Sequence, residues 1–319
     1  MMNFHYHGRC FVIMLMCHLM MLMPGEVCSW SMIVVMSSGN TGEVSKRDVF
    51  SKDNKGKILV LGGSGYLGSN VARRAVLEGY SVTSLSRRGK PEPKSKRRRR
   101  NEYASVESNI DYRTGDAREI EPVESILNEG GYTAVVHCIG LLFDGNSGLS
   151  MWNRFVSGSG SMTDPSSTYD DVTRLTAINA ITASEQYASL GDFNNTLPFI
   201  FTSAAEAGWT DVTGGSFVEN RLTPRWLKRY VKAKRTVESR LEKSTILRPI
   251  IFRPSLIFSL DRLQNFPPVT AFFVGNQVGL PFVDRPVSVQ ALSSAIVRSI
   301  ADENITGVQR YKEINQLSR

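Results

Sequence analysis

The globular part of this sequence has almost no cysteine and almost no histidine. The chain contains four cysteines and four histidines, but three of each lie before residue 30. Only His137 and Cys138 remain after that point. A single thiol cannot build a disulfide framework, and a single imidazole cannot build a His-rich metal site. The sequence therefore predicts a body that folds without disulfides and holds no metal.

The first 36 residues nearly lack acidic side chains, and they lack a hydrophobic run long enough to span a membrane. Their apolar run, residues 10–23, is 14 residues long, whereas a spanning helix needs about 20. We interpret residues 1–36 as a targeting leader that is removed. Two alternatives stay open: a retained anchor, or a true start at Met32 or Met36. Residues 37–56, mostly polar and without periodicity, are interpreted as a linker.

Positive charge is concentrated in one segment of the chain. The formal net charge is +8, and nine Lys and Arg residues lie between positions 87 and 100. Without that segment the chain is close to neutral, so the basic balance describes a loop and not a nucleic-acid surface. The run 94–100 also lacks interleaved aromatic residues for base stacking. We therefore expect a solvated loop, with nucleic-acid binding through it as the unfavoured alternative.

A short apolar strand, a glycine-rich turn and a helical pattern follow one another at residues 57–77, and the rest of the chain is organised around them. The glycines are spaced as GxxGxxG. Missing Cβ atoms allow a tight turn and let the backbone approach a pyrophosphate, which the N–H groups of the helix N-terminus then face. Strand before and helix after favour a dinucleotide site over a structural turn. The predicted contacts are Gly62, Gly63, Ser64, Gly65, Tyr66, Leu67 and Gly68.

The end of the second strand indicates which dinucleotide binds. A cofactor without a 2′-phosphate usually meets an Asp or Glu there, which bonds the ribose hydroxyl. This sequence has Ser86, Arg87 and Arg88 instead. A hydroxyl and two guanidinium groups suit a 2′-phosphate, so NADP(H) is favoured over NAD(H). The alternative is that the arginines merely begin the basic loop.

Two further strand ends supply the remaining predicted cofactor contacts. A third strand ends near Asp116 and Ala117, where a polar residue can bond the adenine edge. The nearly all-apolar run 134–140 is typical of a strand buried on both faces of a parallel sheet. Gly140 at its end would let the cofactor ribose pass close, and Ile139 beside it is a further predicted contact.

Strand and helix patterns alternate through the body of the chain. Further apolar runs predict strands at 81–85, 110–113, 197–203 and 246–252, and helical spacing predicts a last helix over 288–300. This alternation predicts an α/β fold, a Rossmann-like, doubly wound parallel sheet within residues 57–319. Residues 144–167 are expected to form a long loop. Residues 259–286 are expected to be irregular, within a small C-terminal substrate-side region at about 255–319.

Several motifs resemble those of the atypical, extended short-chain dehydrogenase/reductases. They are the glycine turn, the pair Tyr230 and Lys234, and Arg253-Pro254. Residues 135–142, 248–254 and 285–289 are similar to mitochondrial coenzyme Q biosynthesis-associated members. Those members are related to the NADPH-binding accessory subunit of respiratory complex I and to plastid proteins. The resemblance covers about residues 57–317.

The resemblance implies a role for two side chains of one helix. In active family members a Tyr acts as general acid/base, and a Lys four residues on bonds the nicotinamide ribose and lowers the pKa of the Tyr. Tyr230 and Lys234 match that spacing, although an ordinary basic helix with one packed aromatic is the alternative. The usual Ser or Thr is expected at Ala204, and Ser203, one place earlier, would point to the opposite face of a strand. The catalytic set is therefore incomplete, and whether the protein is an enzyme stays open.

Three functions are consistent with these observations. The favoured one is an NADP(H)-binding accessory or regulatory factor in quinone (coenzyme Q) or respiratory-chain metabolism, associated with a membrane-bound protein complex. The second is an active NADPH-dependent oxidoreductase or epimerase on a quinone-like or isoprenoid molecule, with the segment 266–273 as an apolar wall. The third is a nucleic-acid binder. The resemblance implies a mitochondrial location, and the leader leaves a plastid as the alternative.

Overall fold

The described part of the chain alternates strands with helices. The computed structural model describes residues 55–91, 105–147, 167–191, 196–259, 266–277, 279 and 283–319, all within one unit, Asn54–Arg319. The strands are β1 (Lys57–Leu61), β2 (Ser81–Ser86), β3 (Ile110–Thr114), β4 (Tyr132–His137), β5 (Leu197–Thr202), β6 (Leu247–Phe252), β7 (Ile257–Phe258), β8 (Val287–Ser288) and β9 (Gly307–Gln309). The helices are α1 (Tyr66–Leu77), α2 (Glu121–Leu127), α3 (Thr176–Leu190), α4 (Gly215–Phe217), α5 (Arg225–Glu242), α6 (Phe266–Gln277), α7 (Val289–Ala301) and α8 (Tyr311–Leu317).

Seven of these strands form one parallel sheet in the order β3-β2-β1-β4-β5-β6-β9. β1 pairs with β2 on one side and with β4 on the other. The strand order therefore reverses between β1 and β4, which is where ligands bind in doubly wound sheets, beyond the carboxyl ends of the strands. The predicted Rossmann-like sheet is confirmed.

Helices cover both faces of the sheet. Alternate residues of β1 pack on opposite faces of the sheet, because successive side chains of a strand point to opposite sides. Ile58 and Val60 pack in one core with α1 and α7, whereas Leu59 and Leu61 pack in the other with α2, α3 and α5. The carboxyl ends of β1, β4 and β5 are thereby fixed between two packed layers.

The C-terminal part of the chain contains more regular structure than the sequence indicated. Residues 259–286 were expected to be irregular, but Phe266–Gln277 is helical. Its two prolines follow the first residue, where the missing N–H groups have no helical acceptor to lose. β9 and α8 were also not predicted, because a three-residue strand and a seven-residue helix leave little periodicity to read. β9 extends the sheet beside β6.

Several predictions concern residues outside the described part of the chain. They are the leader at 1–36, nearly all of the linker at 37–56, the basic run at 94–100 and most of the loop at 144–167. Across the described residues, no helix combines the length and the apolar character needed to cross a membrane.

Candidate functional site

The glycine-rich turn after β1 is tightly closed by its own backbone. The Gly62 N–H donates to Leu85 O and the Gly65 N–H donates to Gly62 O, both at 2.8 Å. Gly62 has a φ of +83°, a region that favours glycine. A Cβ on Gly68 would lie 2.3 Å from Gly62 O, so only glycine lets α1 pack this close to the strand end. Gly62 and Gly68 therefore have the conformational and packing roles that the spacing predicted.

The N-terminus of α1 is open to an anion. Gly65 precedes the helix in extended conformation, and no side chain caps the first turn. The first turn also contains no acidic residue. The leading N–H groups of a helix lack intrahelical acceptors and carry the positive end of the helix dipole. Ser64, Gly65, Tyr66 and Leu67 thus lie where a pyrophosphate would be held.

The end of β2 presents two exposed arginines beside that turn. Arg87 and Arg88 are exposed, whereas Ser86 is buried and its hydroxyl donates to Gly89 O at 2.9 Å. The Ser86 hydroxyl thus closes the turn after β2. Because its hydrogen is already donated, a ligand could use this hydroxyl only as a hydrogen-bond acceptor. A phosphate at this position would therefore be bound by the two guanidinium groups, with Ser86 shaping the turn that carries them.

The residues after β3 form a small polar cluster at the same edge. Asp116 accepts hydrogen bonds from Arg118, the shortest at 2.6 Å. Partial burial opposes ionisation of Asp116, but the hydrogen bonds from Arg118 and the positive charge of Arg87 lower its pKa overall. Asn179 of α3 donates to Ala117 O and Arg118 O. Asn179 was not predicted as part of the site, since nothing in its local sequence marks a contact 61 residues away.

The end of β4 lies against the glycine turn on the other side. A Cβ on Gly62 would lie 2.9 Å from the Ile139 side chain, and a Cβ on Gly140 would lie 3.5 Å from Lys234 Nζ. The predicted contacts from β1, β4 and α5 are thus brought to one place. A Cβ at Gly140 would make ordinary van der Waals contact with the lysine ammonium.

Lys234 is a buried amine anchored at the end of β5. Its residue is 3% exposed, and its Nζ donates to Thr202 O at 2.7 Å. Burial lowers the pKa of Lys234 to about 8, although the negative charges of nearby groups, Glu238 first, oppose the shift. The amine is therefore held in a fixed place beside Gly140, as a ribose contact requires.

Tyr230 is packed in an apolar cluster one helical turn before Lys234. It is 9% exposed and its ring meets the ring of Tyr169 edge-on at 5.5 Å between centroids. Burial raises the pKa of Tyr230, and the charges of Glu206 and Tyr169 raise it further. The hydroxyl is thus protonated at neutral pH. The raised pKa also makes the phenol a poorer proton donor, so the lowering of the Tyr pKa that the family resemblance implied is not found.

Ala204 occupies the position beside Tyr230 where the family resemblance places a hydroxyl. It is 4% exposed and belongs to the same cluster as Tyr230 and Tyr169. The neighbouring Ser203 is also buried, and its hydroxyl has no hydrogen-bond partner among the described residues. The side chain facing Tyr230 from the end of β5 is therefore a methyl group. No hydroxyl from this position orients a substrate carbonyl.

A buried ion pair fixes the position of α5, and the sequence did not predict this contact. Arg253 donates to both carboxylate oxygens of Glu238, at 3.0 and 2.7 Å, and to Asp211 at 2.8 Å. Glu238 lies one helical turn beyond Lys234. In the sequence, Arg253 stands out only as part of a family motif. Its partner Glu238 is 15 residues away, and a contact at that separation leaves no local pattern in the sequence.

The described residues contain no cluster of potential metal ligands. Within the ranges that the structure describes, no three His, Cys, Asp or Glu side chains come together. His137 is fully buried at the end of β4, and burial with the nearby Lys234 charge lowers its pKa to about 3. The site consists of backbone N–H groups, arginines, one buried lysine and one buried tyrosine.

This arrangement has counterparts among known proteins. Residues 58–259 match the model of the NAD dependent epimerase/dehydratase family. The chain belongs to this family. The resemblance to short-chain dehydrogenases is thereby confirmed, and the protein is a dinucleotide-binding member of that group.

The relatives are distant in sequence. MIOREX complex component 2 of Saccharomyces cerevisiae is 24% identical over 288 residues, which cover 81% of this chain and 98% of the yeast protein. Thermus thermophilus UDP-glucose 4-epimerase, solved with NAD, is 17% identical with a TM-score of 0.51, covering 82% of this chain and 81% of that one. ElxO, solved with NADPH, is 14% identical with a TM-score of 0.52, covering 80% and 96%. The two solved structures share the fold of this chain.

Proposed function

We propose that the protein binds NADP(H) and acts as an accessory component of a mitochondrial protein assembly in quinone or respiratory-chain metabolism, with little or no turnover of its own. The observation that carries this proposal is the contrast within one site. The glycine turn, the end of β4 and Lys234 lie close together, as a dinucleotide site would need, whereas Ala204 packs in the cluster of Tyr230 where a hydroxyl would be needed. The protein holds the cofactor without a full proton-transfer set.

The choice of NADP(H) rests on the end of β2. No carboxylate occupies the place where a 2′-hydroxyl would be bonded, and Arg87 and Arg88 are exposed there. The positive charge of Arg87 already acts on Asp116, which lies at the adenine side of the proposed site. A 2′-phosphate at this corner would meet two cations, whereas a 2′-hydroxyl carries no negative charge for them to bind.

Replacing Arg87 and Arg88 together by serine is expected to weaken NADPH binding far more than NADH binding. Each lost charge-assisted contact is worth roughly 1.5–3 kcal/mol, which is about ten- to hundredfold in affinity. Calorimetric titration with both nucleotides measures the two losses. Lys90→Ser, an exposed cation three residues further along, is the control for general electrostatics. Equal weakening of NADPH and NADH would refute the assignment of the arginines.

The location and the assembly rest on the relatives. The yeast relative is named as a component of a complex and aligns over nearly its whole length. The coenzyme Q and complex I members that the motifs resemble are mitochondrial, so the location rests on this resemblance and on the yeast relative. Expression of a tagged full-length chain followed by fractionation and native electrophoresis tests both points. A monomer outside mitochondria would contradict them.

An active NADPH-dependent reductase or epimerase on a quinone-like or isoprenoid substrate is the second candidate. It is favoured by the spacing of Tyr230 and Lys234, which lie one helical turn apart with Lys234 Nζ 5.8 Å from the centre of the Tyr230 ring. A protonated Tyr is the form that gives a proton to a reduced carbonyl.

Under the accessory function, NADPH oxidation with a panel of quinones is expected to stay at background in the wild type, in Tyr230→Phe and in Ala204→Ser. All three proteins are expected to keep their NADPH affinity, since each variant changes a single hydroxyl. Stopped-flow or steady-state absorbance of NADPH measures the rate. A robust wild-type rate that Tyr230→Phe abolishes and Ala204→Ser increases would establish the enzyme instead.

A further inference from the structure

A groove of about 740 Å³ runs along the outer side of α5 and is lined by no residue of the glycine turn. Its α5 side chains recur every three or four residues from Lys228 to Lys243, so they form one stripe on one face of the helix. That stripe is about 22 Å long at 1.5 Å per residue. The opposite face of α5 is buried in the core through Val231, Val237 and Leu241. The groove is thus a second surface of the helix that carries Lys234.

The groove has a net positive charge. Its two arginines are neutralised, because Arg235 is paired with Glu219 and Arg240 with Glu185. Its three lysines are not neutralised in this way. Lys228 donates to the backbone oxygen of Asn220. Among the described residues neither Lys232 nor Lys243 forms an ion pair, but Lys232 lies close enough to Asp170 to act on its carboxylate through its charge. Glu219 also lines the groove, but it is paired with Arg235, so the three lysines leave the groove with an excess of positive charge that acidic groups from outside can neutralise.

The shape and lining of the groove favour a protein segment over other polyanions. Ile178 gives it an apolar contact, and Thr236 and Ser239 at its middle are small enough for a close approach. Both arginines, the side chains that bind phosphate best, are already held by carboxylates, which leaves single ammonium groups spaced along the helix. The lining contains no aromatic side chain on which a base could stack. A second copy of this chain would bring a like-charged stripe against the first.

We propose that this groove binds an acidic amphipathic helix of a partner protein, whose carboxylates pair with Lys228, Lys232 and Lys243. Such a helix lays apolar anchors into a groove at i, i+3, i+4 spacing. Here Ile178 and the lysine stems receive the anchors, and the ammonium groups receive carboxylates at the rim. The proposal concerns a surface separate from the dinucleotide site, so it stands or falls independently of cofactor binding.

The test uses fluorescence anisotropy with the full chain and a labelled model peptide of about 18 residues, long enough to span the groove. The peptide carries Glu at i, i+4 spacing beside a row of Leu. The variant Lys228→Gln/Lys232→Gln/Lys243→Gln is compared with Lys55→Gln/Lys90→Gln/Lys312→Gln, which removes the same charge from exposed lysines outside the groove. NADPH affinity and thermal unfolding are measured for both variants to verify that the fold is retained.

We expect the wild type and the second variant to bind the acidic peptide alike and the groove variant to bind it about tenfold more weakly, because three rim ion pairs are lost. High salt is expected to abolish the difference. Equal loss in both variants, or no binding by the wild type, would overturn the proposal. Tighter binding of a single-stranded RNA of equal charge through the same three lysines would also overturn it, in favour of a nucleic-acid partner.

Discussion

Replacing Arg253 by alanine is expected to destabilise the fold by about 3–5 kcal/mol, the usual cost of removing one partner from a buried ion pair. The Arg253 and Glu238 side chains are 11% and 4% exposed. Without Arg253, the Glu238 carboxylate would stay buried with its two charge-assisted hydrogen bonds lost. For a unit of this size the midpoint of thermal unfolding is expected to fall by about 6–20 °C. Calorimetry or circular dichroism measures the shift.

Arg240→Ala is the matched control for this prediction. Arg240 lies on the same helix and also makes a two-pronged pair, with Glu185, but the two side chains are 35% and 20% exposed. Pairs that are this open to solvent contribute about 0–1 kcal/mol. If the two substitutions lower stability equally, burial of the Arg253 pair is not what fixes α5.

The Arg253 pair also has a consequence for the site. Glu238 and Lys234 lie one turn apart on α5, and Lys234 reaches the end of β5 only while the helix stays seated. Arg253→Ala is therefore expected to weaken NADPH binding even at temperatures where the protein remains folded. If Arg253→Ala lowers stability as predicted but leaves the NADPH affinity unchanged, Lys234 is positioned by the core alone.

Gly65→Asp is expected to abolish nucleotide binding while the fold is retained. A Cβ at Gly65 meets only Gly62 O, at 3.0 Å, and the residue has a φ of −76°, which any side chain adopts. Asp is also a favourable residue at the N-terminal cap of a helix, so α1 is not weakened. Its carboxylate would face the pyrophosphate, and like charges in such contact cost several kcal/mol. The expected loss of NADPH affinity is at least about a hundredfold.

Gly65→Asn separates charge from bulk in this prediction. Its amide has nearly the same size and the same capping ability as the carboxylate of Asp, but it carries no charge. We expect Gly65→Asn to bind NADPH with an affinity between those of the wild type and Gly65→Asp. Thermal unfolding of both variants is expected to stay within a few degrees of the wild type. Unfolding of either one would show that the turn cannot accept a side chain.

The parts of the fold that could be predicted from sequence are those with a local signal. The apolar run of β4 and the spacing of Gly62, Gly65 and Gly68 are properties of consecutive residues, and the structure places both at the switch point of the sheet. The Tyr230–Lys234 pair is likewise one helical turn. Each of these features depends on neighbours that the chain itself puts side by side.

The contacts that sequence could not reveal join residues far apart in the chain. Tyr169 covers Tyr230 across 61 positions, and Asn179 bonds the loop after β3 from α3. The partners of Arg253 and the lysine stripe of the groove depend on which helix face turns outward. The excess of positive charge was assigned to the segment 87–100 alone, because the charges of α5 become a surface feature only once its apolar stripe is buried.

Calorimetric titration of NADPH into the wild type and into Gly65→Asp, side by side, is the most direct test of the dinucleotide site. The wild type is expected to give saturable heat with one nucleotide bound per chain. Gly65→Asp is expected to give none over the same concentrations, while its unfolding curve stays cooperative. Equal binding by the two proteins, or no binding by the wild type, would contradict a dinucleotide held at the glycine turn of β1 and α1.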